Sequence, residues 1–297
     1  MIQGKIIKGI AGFYYVKAND TIYECSARGR FRNQDISLLI GDNVEIEIEH
    51  KESLRGTYKT ASIEKILPRR NKMVRPPVAN VDQAIIVFSV NYPKPNLDLL
   101  DRLLILVQEQ EIEACICINK VDADEDEAYR RIEKIYEQAG YTVIPTSATN
   151  HRGIDLLNEY LKDKTSFFVG NSGVGKSTLL NAVQPSLGLV TGSLSEKINR
   201  GKHTTRHVEL MPLEVGGYVL DTPGFSSVSI EHLKAEDLKN YYKEFYDYEG
   251  TCKFTGCSHI HEPRCGVKEA VEKGEIHPQR YDGYVATYNQ LKDIRRW

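Results

Sequence analysis

Two rhythms of hydrophobic and polar positions divide this chain. Up to about residue 67, short stretches of β-branched and aromatic residues are punctuated by turn residues. Lys5-Ile6-Ile7-Lys8-Gly9-Ile10, Phe13-Tyr14-Tyr15-Val16 and Thr21-Ile22-Tyr23-Glu24-Cys25 come first, with Asn19-Asp20 as a turn. After Gly41-Asp42-Asn43, Val44, Ile46 and Ile48 alternate with Glu45, Glu47 and Glu49, the pattern of a half-buried strand. Five or so strands in this length predict a small β-barrel of the OB-fold type. From Val81 the period changes. An apolar strand over 84–90 precedes a helix over 98–110 with Leu99, Leu103, Leu106 and Val107 on one face. A buried strand over 114–118 follows, then a charged amphipathic helix over 124–139 with Ile132, Ile135 and Tyr136 inward and Gly140 ending it. A strand over 141–145 and a short helix over 154–161 continue the alternation, which predicts a mostly parallel sheet covered on both faces. Residues 282–294 read as a closing helix.

Composition narrows this picture only a little. The 297 residues allow two or three domains, and 41% hydrophobic with 27% charged residues is ordinary for a soluble globular protein. With a net charge of −2, any RNA contact must come from local basic patches. Arg28-Gly29-Arg30-Phe31-Arg32 is one, suited to phosphate contact and base stacking and equally to a solvated loop. The segment Pro68-Arg69-Arg70-Asn71-Lys72-Met73-Val74-Arg75-Pro76-Pro77 reads as a linker whose cations contact phosphate or solvent. Met1-Ile2-Gln3-Gly4-Lys5 lacks the apolar core of a signal peptide, and the longest apolar run, 84–88, is strand-sized. The expectation is a cytoplasmic protein without a membrane partner. Cys25, Cys115 and Cys117 fall in predicted strands, whereas Cys252, Cys257 and Cys265 cluster with histidines, which in a reducing compartment indicates metal rather than disulfides.

The chemistry centres on Gly170-Asn171-Ser172-Gly173-Val174-Gly175-Lys176-Ser177-Thr178, a match to G-x-x-x-x-G-K-[ST]. The apolar Ser166-Phe167-Phe168-Val169 precedes it and helix-compatible residues to Val183 follow, as the motif requires. The glycines let backbone amides turn inward around phosphate oxygens at a helix N-terminus. Lys176 would reach the β- and γ-phosphates and the Ser177 hydroxyl would sit on Mg²⁺. Asn119-Lys120-Val121-Asp122 ends the strand over 114–118 and fits N-K-x-D, in which the carboxylate accepts two hydrogen bonds from guanine and adenine offers no such pair. Ser147-Ala148 fits the companion loop whose amide meets guanine O6. Asp221-Thr222-Pro223-Gly224 fits D-x-x-G, with Asp221 on Mg²⁺ through water and the Gly224 amide at the γ-phosphate. Lys202-His203-Thr204-Thr205 would be the first switch, one of whose threonines closes on Mg²⁺. GTP is therefore the expected nucleotide.

The order of these motifs is unusual: N-K-x-D and S-A precede the P-loop, so the GTPase is read as circularly permuted. The second switch, about 224–229, then leads directly into the C-terminal region, a route by which nucleotide state would reach it as an order–disorder or rotation change. Phe225 stands where Ras-like proteins keep a water-orienting Gln, so intrinsic hydrolysis should be slow. His203 is the candidate to orient or deprotonate water, against the plainer reading of a surface-loop histidine, and His207 reads as structural. Cys252-x₄-Cys257-x-His259-x₅-Cys265 offers a Cys₃His set suited to structural Zn²⁺, with His261 a competing ligand. Lys253, Arg264, Lys268, Lys273 and Arg280 around it are interleaved with acids and are also compatible with a solvated face.

A barrel, then N-K-x-D ahead of G-N-S-G-V-G-K-S-T, then C-x₄-C-x-H-x₅-C resembles the RsgA family of ribosome small-subunit-dependent GTPases, also called YjeQ or YloQ. The resemblance spans essentially the whole chain, with no departure in these motifs. It implies GTP/GDP with Mg²⁺, one structural Zn²⁺ with His259 as the fourth ligand, Thr205 as the switch threonine and a part for His203 in hydrolysis. It further implies help in late maturation of the small ribosomal subunit, contact with its rRNA, GTP hydrolysis that is faster on the subunit, and release afterwards. The expected organisation is a monomer with an OB-fold RNA-binding domain over 1–67, a circularly permuted GTPase domain over 68–229 and a zinc-binding domain with helices over 230–297. Two other readings are an RNA-binding scaffold that uses GTP as a structural ligand and a translation-factor-like GTPase on mature ribosomes.

Overall fold

The computed structural model describes residues 1–10, 12–27, 37–52, 58–73, 76–189, 208–221 and 228–294. They form two compact units, the first built from Met1–Gln83, Asn158–Val169 and Gln184–Phe225, the second from Ala84–Leu157, Gly170–Val183 and Ser226–Trp297.

In the first unit, β1 (Ile2–Ile10), β2 (Phe13–Ala18), β3 (Thr21–Ala27), β4 (Asn43–Glu52) and β5 (Lys59–Ile66) close into a barrel. β1 pairs antiparallel with both β2 and β4, β2 with β3 and β4 with β5, while β3 and β5 run parallel. Ile6, Val16, Cys25, Val44, Ile46 and Ile63 are fully buried inside it. Ile48 shares their face by alternation yet is 44% exposed, because β4 outruns the core that Ile46 helps to fill. The stretch expected to be a plain linker is built into the fold. Its β6 (Lys72–Met73) pairs antiparallel with β7 (Val78–Ala79). Arg69 donates Nε at 2.6 Å and Nη2 at 2.8 Å to the buried Asp42 carboxylate, which also accepts the Leu39 amide at 2.8 Å. Arg70 pairs with Asp82. These two cations are held by carboxylates, and desolvation explains why Asp42 needs its partner. The same unit holds β11 (Thr165–Val169) parallel to β13 (Tyr218–Asp221), with β12 (Glu209–Pro212) antiparallel to β13. β12 in turn meets β1 at Lys8 and Glu209, whose side chains pair at 2.6 Å.

In the second unit, β8 (Gln83–Ser89), β9 (Glu113–Asn119) and β10 (Thr142–Pro145) lie side by side in the order β10-β9-β8, β9 and β10 in parallel. Ala84 to Val87 and Cys115 to Ile118 have no exposure at all, which is why they read as continuous apolar runs rather than alternating ones. The helices are α1 (Leu97–Glu109), α2 (Tyr129–Gln138), α3 (Ile154–Leu161, whose second half belongs to the first unit), α4 (Lys176–Val183), α5 (Tyr246–Glu249), α6 (Gly266–Glu272) and α7 (Pro278–Asp293). α1 is buried more widely than a single stripe: Leu100, Asp101, Leu103, Leu104, Ile105 and Val107 are all covered, while Leu99 and Leu106 are partly exposed. The reason is that α1 packs on β9 and also feeds Ile105 into the C-terminal core of Leu238, Tyr242, Phe245, Val267, Tyr284 and Leu291. α2 starts later than the pattern suggests, because the Asp124 carboxylate accepts the Tyr129 amide at 2.7 Å and Glu127 takes φ +51°.

The C-terminal core is fastened to α1 and α2 by a buried charge. Arg280 on α7 is 1% exposed. Its Nη1 donates to Asp101 Oδ1 on α1, and its Nε donates to Glu244 Oε1 at 2.6 Å. Asp101 Oδ1 also accepts Tyr136 Oη from α2 at 2.7 Å, and the guanidinium lies 4.6 Å from the centre of the Tyr242 ring. Removing the cation strands two buried carboxylates. Arg280→Ala is therefore expected to destabilise the folded chain by about 3–5 kcal/mol, read as an earlier transition in guanidinium unfolding of the full-length protein.

Candidate functional site

The loop after β11 turns on glycines that have no room for a side chain. A Cβ on Gly170 (φ +148°) would stand 2.0 Å from the Val87 carbonyl, and one on Gly175 (φ +97°) would stand 2.4 Å from Asn119 Nδ2. The loop enters α4 at Lys176, whose ammonium folds back onto the carbonyls of Gly170 at 2.6 Å and Asn171 at 2.8 Å. Burial pushes the Lys176 pKa down. Among the described residues its partners are these two carbonyls, and a buried cation so placed at the start of a helix fits an anionic ligand such as a phosphate chain. Asn171, Ser172 and Gly173 are exposed on the loop, Val174 is buried beneath it, and Ser177 and Thr178 begin α4.

The N-K-x-D loop is tied to the P-loop by two side chains. Asn119 is 2% exposed; its Nδ2 donates to the Val174 carbonyl at 2.9 Å and its Oδ1 accepts the Thr146 hydroxyl at 3.3 Å. Lys120, in the left-handed region at φ +66°, donates Nζ to the carbonyls of Tyr92 at 2.6 Å and Gly173 at 2.7 Å. The exposed Asp122 is then presented beside the S-A loop. Hydrogen bonding from the Ser147 hydroxyl, with a further one from Thr149 at 3.0 Å, holds its carboxyl below the usual range, so it is an acceptor at neutral pH. Ser147 has no exposure, and its hydroxyl also contacts that of Thr149 at 2.9 Å. The second unit thus brings together a phosphate cradle and an acidic acceptor suited to a guanine edge. Thr146, Thr149 and Tyr92 take part in this wiring without belonging to any motif; nothing in their residue types alone marks them.

Asp221 ends β13 in the first unit. The remaining expected groups lie outside the described residues: Lys202, His203, Thr204, Thr205 and His207, Thr222, Pro223, Gly224 and Phe225, and the Arg28-to-Arg32 patch.

A second constellation sits in the C-terminal core. The ligand atoms of Cys252, Cys257, His259 and Cys265 all lie within 4.8 Å of one another. Cys252 Sγ and Cys265 Sγ are 4.0 Å apart, and His259 Nδ1 is 3.6 Å and 3.4 Å from them. Zinc bonds of about 2.3 Å to sulfur and about 2.0 Å to nitrogen at tetrahedral angles require about 3.8 Å between sulfurs and about 3.5 Å from sulfur to nitrogen. The donor set fits that ion. The ligand loop is shaped by Glu262, which accepts the Ser258 and Ile260 amides and the Ser258 hydroxyl. Tyr281 and Tyr284 of α7 donate at 2.7 Å to the carbonyls of His259 and Ser258. His261 is exposed and stands outside the cluster.

Comparison with known proteins agrees with this picture. Residues 66–231 match the RsgA GTPase family model and residues 3–54 match the RsgA N-terminal domain model. The chain is 48% identical to the small ribosomal subunit biogenesis GTPase RsgA of Caldanaerobacter subterraneus subsp. tengcongensis, covering 98% of this chain and 96% of that one. It is also 48% identical to the protein of the same name from Alkaliphilus metalliredigens, over the full length of both. Among solved structures it resembles YjeQ from Thermotoga maritima at TM-score 0.83 and 38% identity, covering 99% of each chain. It resembles YloQ, a circularly permuted GTPase, at TM-score 0.82 and 38% identity, covering 100% of this chain and 97% of that one.

Asn119→Ala tests the tie between the loops. It removes the donor to the Val174 carbonyl at a buried position, while the Thr146 hydroxyl keeps Cys117 Sγ and the Ile118 carbonyl as partners, and one such unpaired group costs the folded chain about 1–3 kcal/mol. Guanine-nucleotide affinity is expected to fall about 10- to 100-fold, measured by titrating a fluorescent GDP analogue, and thermal unfolding of the nucleotide-free chain should come earlier by the cost of that group.

Proposed function

The chain belongs to the RsgA family of GTPases, and we propose that it acts on the small ribosomal subunit late in its maturation, hydrolysing GTP to GDP and phosphate while bound and then leaving. The observation that carries the nucleotide half of this reading is the double tie of Asn119 and Lys120 onto the P-loop carbonyls, which puts a guanine acceptor and a phosphate cradle on one rigid frame.

In this reading Asp122 accepts the N1–H and exocyclic amine of guanine, with the Ser147 and Thr149 hydroxyls keeping the carboxylate ionised and turned. The Ala148 backbone amide meets O6. Lys176 leaves its two carbonyls for the β- and γ-phosphates, a short movement that exchanges neutral acceptors for charged ones. Gly170 to Thr178 wrap the phosphates with backbone amides, and the Gly224 amide touches the γ-phosphate. Ser177, Thr205 and Asp221 would hold Mg²⁺, which would supply charge neutralisation to the phosphates, and Thr204 would join the nucleotide contacts from the first switch. His203 orients or deprotonates the attacking water, the task that Phe225 lacks the chemistry to perform. Cys252, Cys257, His259 and Cys265 of the C-terminal cluster would hold one structural Zn²⁺, since four protein ligands leave no open position for chemistry. The organisation we propose is an RNA-binding barrel over 1–67, the permuted GTPase over 68–229 and the zinc-binding region over 230–297, working as a cytoplasmic monomer against rRNA. Among the described residues no helix is long and apolar enough to cross a membrane.

The test is multiple-turnover GTP hydrolysis with and without purified small subunits, for the wild type and His203→Ala. An unassisted GTPase turns over at ~10⁻⁴ s⁻¹, and a supplied catalytic group adds about 10³- to 10⁵-fold. Strong stimulation by subunits, lost in His203→Ala with subunit binding intact, is the expected result. No stimulation would remove the ribosome from the mechanism, and stimulation that survives His203→Ala would move the catalytic group elsewhere.

A further inference from the structure

The imidazole of His259 has two faces with different fates. Its Nδ1 looks into the thiol cluster, 3.6 Å from Cys252 Sγ and 3.4 Å from Cys265 Sγ. Its Nε2 looks the other way, toward Glu249 Oε1 at 3.7 Å. The ring is 1% exposed, and both Nε2 and that carboxylate oxygen are buried without a hydrogen-bond partner. Buried polar atoms left unpaired are rare, and here two of them face each other. Other groups near the ring are already engaged. Lys239 donates to the Cys257 carbonyl, Glu262 is taken up by the Ser258 and Ile260 amides, and the Phe245 ring packs edge-on at 5.7 Å. Glu249 keeps its other oxygen toward water, its side chain being 34% exposed.

We propose that Glu249 is the outer carboxylate of the metal centre: it accepts the Nε2–H of His259 and so fixes the tautomer whose Nδ1 lone pair is free for the ion. This rests on the zinc reading above. A neutral imidazole carries one proton, and binding metal through Nδ1 places that proton on Nε2. On a ring that is 1% exposed the proton needs a protein acceptor, and a carboxylate in this position both orients the ring and makes its nitrogen a better donor to the metal. Closing 3.7 Å to a hydrogen bond of about 2.9 Å takes a small rotation of a side chain at the end of the short helix α5.

Zinc affinity of the full-length chain, measured by competition with a chromogenic chelator, tests this. Glu249→Ala is expected to weaken zinc about 10- to 100-fold, and Glu249→Gln, which keeps an acceptor oxygen, should recover most of that loss. In the zinc-loaded wild type, long-range ¹H–¹⁵N spectra should show His259 protonated at Nε2, with a slowly exchanging proton that Glu249→Ala renders fast. That spectral readout separates tautomer control from a general loosening of the fold. Zinc held equally tightly by Glu249→Ala, with the Nε2 proton still protected, would overturn the inference while leaving the metal in place. A wild-type chain that binds no zinc would remove both.

Discussion

A guanidinium without access to water decides how the C-terminal half of this protein is assembled. Arg280 is drawn out of solvent only because Asp101 and Glu244 meet it, and each of those carboxylates is tolerable in the interior only because Arg280 is there. The three residues come from three elements separated by long stretches of chain, so none can be buried until the others arrive. Tyr136 and Tyr242 line the same cavity, one donating to Asp101 and the other lying against the cation. Gly283, one turn along α7, leaves room for the arrangement, since a Cβ there would stand 2.7 Å from Asp101 Oδ2. The charge cluster thus specifies which face of α7 meets α1, a task that Leu-on-Leu packing alone would leave degenerate.

That fastening gives the permuted order of the nucleotide motifs a physical meaning. The chain leaves β13 at Asp221 and enters the C-terminal core at Ile230, which is 1% exposed, and Leu233, which is 6% exposed. His232 adds a contact to Glu109 at the end of α1, at 2.8 Å and 3.0 Å. α1 is also the helix that carries Asp101 and whose first turn is capped by Asn96, close in sequence to the Tyr92 carbonyl that anchors Lys120. One helix therefore has the Lys120 anchor near its start, the charge cluster in its middle and the His232 contact at its end. Because N-K-x-D precedes the P-loop in this chain, the sequence that follows D-x-x-G leads on to the C-terminal core at Ile230.

Much of this was legible in the sequence, and what was not has a consistent cause. The barrel strands, the central strands and α3 follow from local period and turn chemistry, which depend only on neighbours in the chain. The P-loop and N-K-x-D are likewise local, because backbone geometry and short-range reach dictate their spacing. The failures are places where a distant partner sets the outcome. Asp101 sits on a helix face that alternation would expose, and Arg280 reads as one more cation of a solvated surface. Arg69 reads as part of a linker until Asp42, far earlier in the chain, is seen to hold it. Thr146 and Thr149 carry no motif, yet they orient Asn119 and Asp122. Charge that will be buried looks in a sequence like charge that will be solvated, and only tertiary pairing tells them apart.

The same short stretch that completes the ion cluster also faces the metal ligands. Glu244 takes the Arg280 Nε, Phe245 packs on the His259 ring, and Glu249 ends the helical run opposite His259 Nε2. α7 closes the circuit from the other side, with Arg280 in the cluster and Tyr281 and Tyr284 on the carbonyls of the ligand loop. The two polar centres are thus not independent supports. Tyr281 and Tyr284 hold the loop of the thiol cluster from the same helix whose register keeps Arg280 between its carboxylates. The apolar packing of Leu238, Phe245, Val267 and Leu291 is non-directional. Orientation comes from the two polar centres, whose shared use of α7 fixes which face of that helix each of them meets.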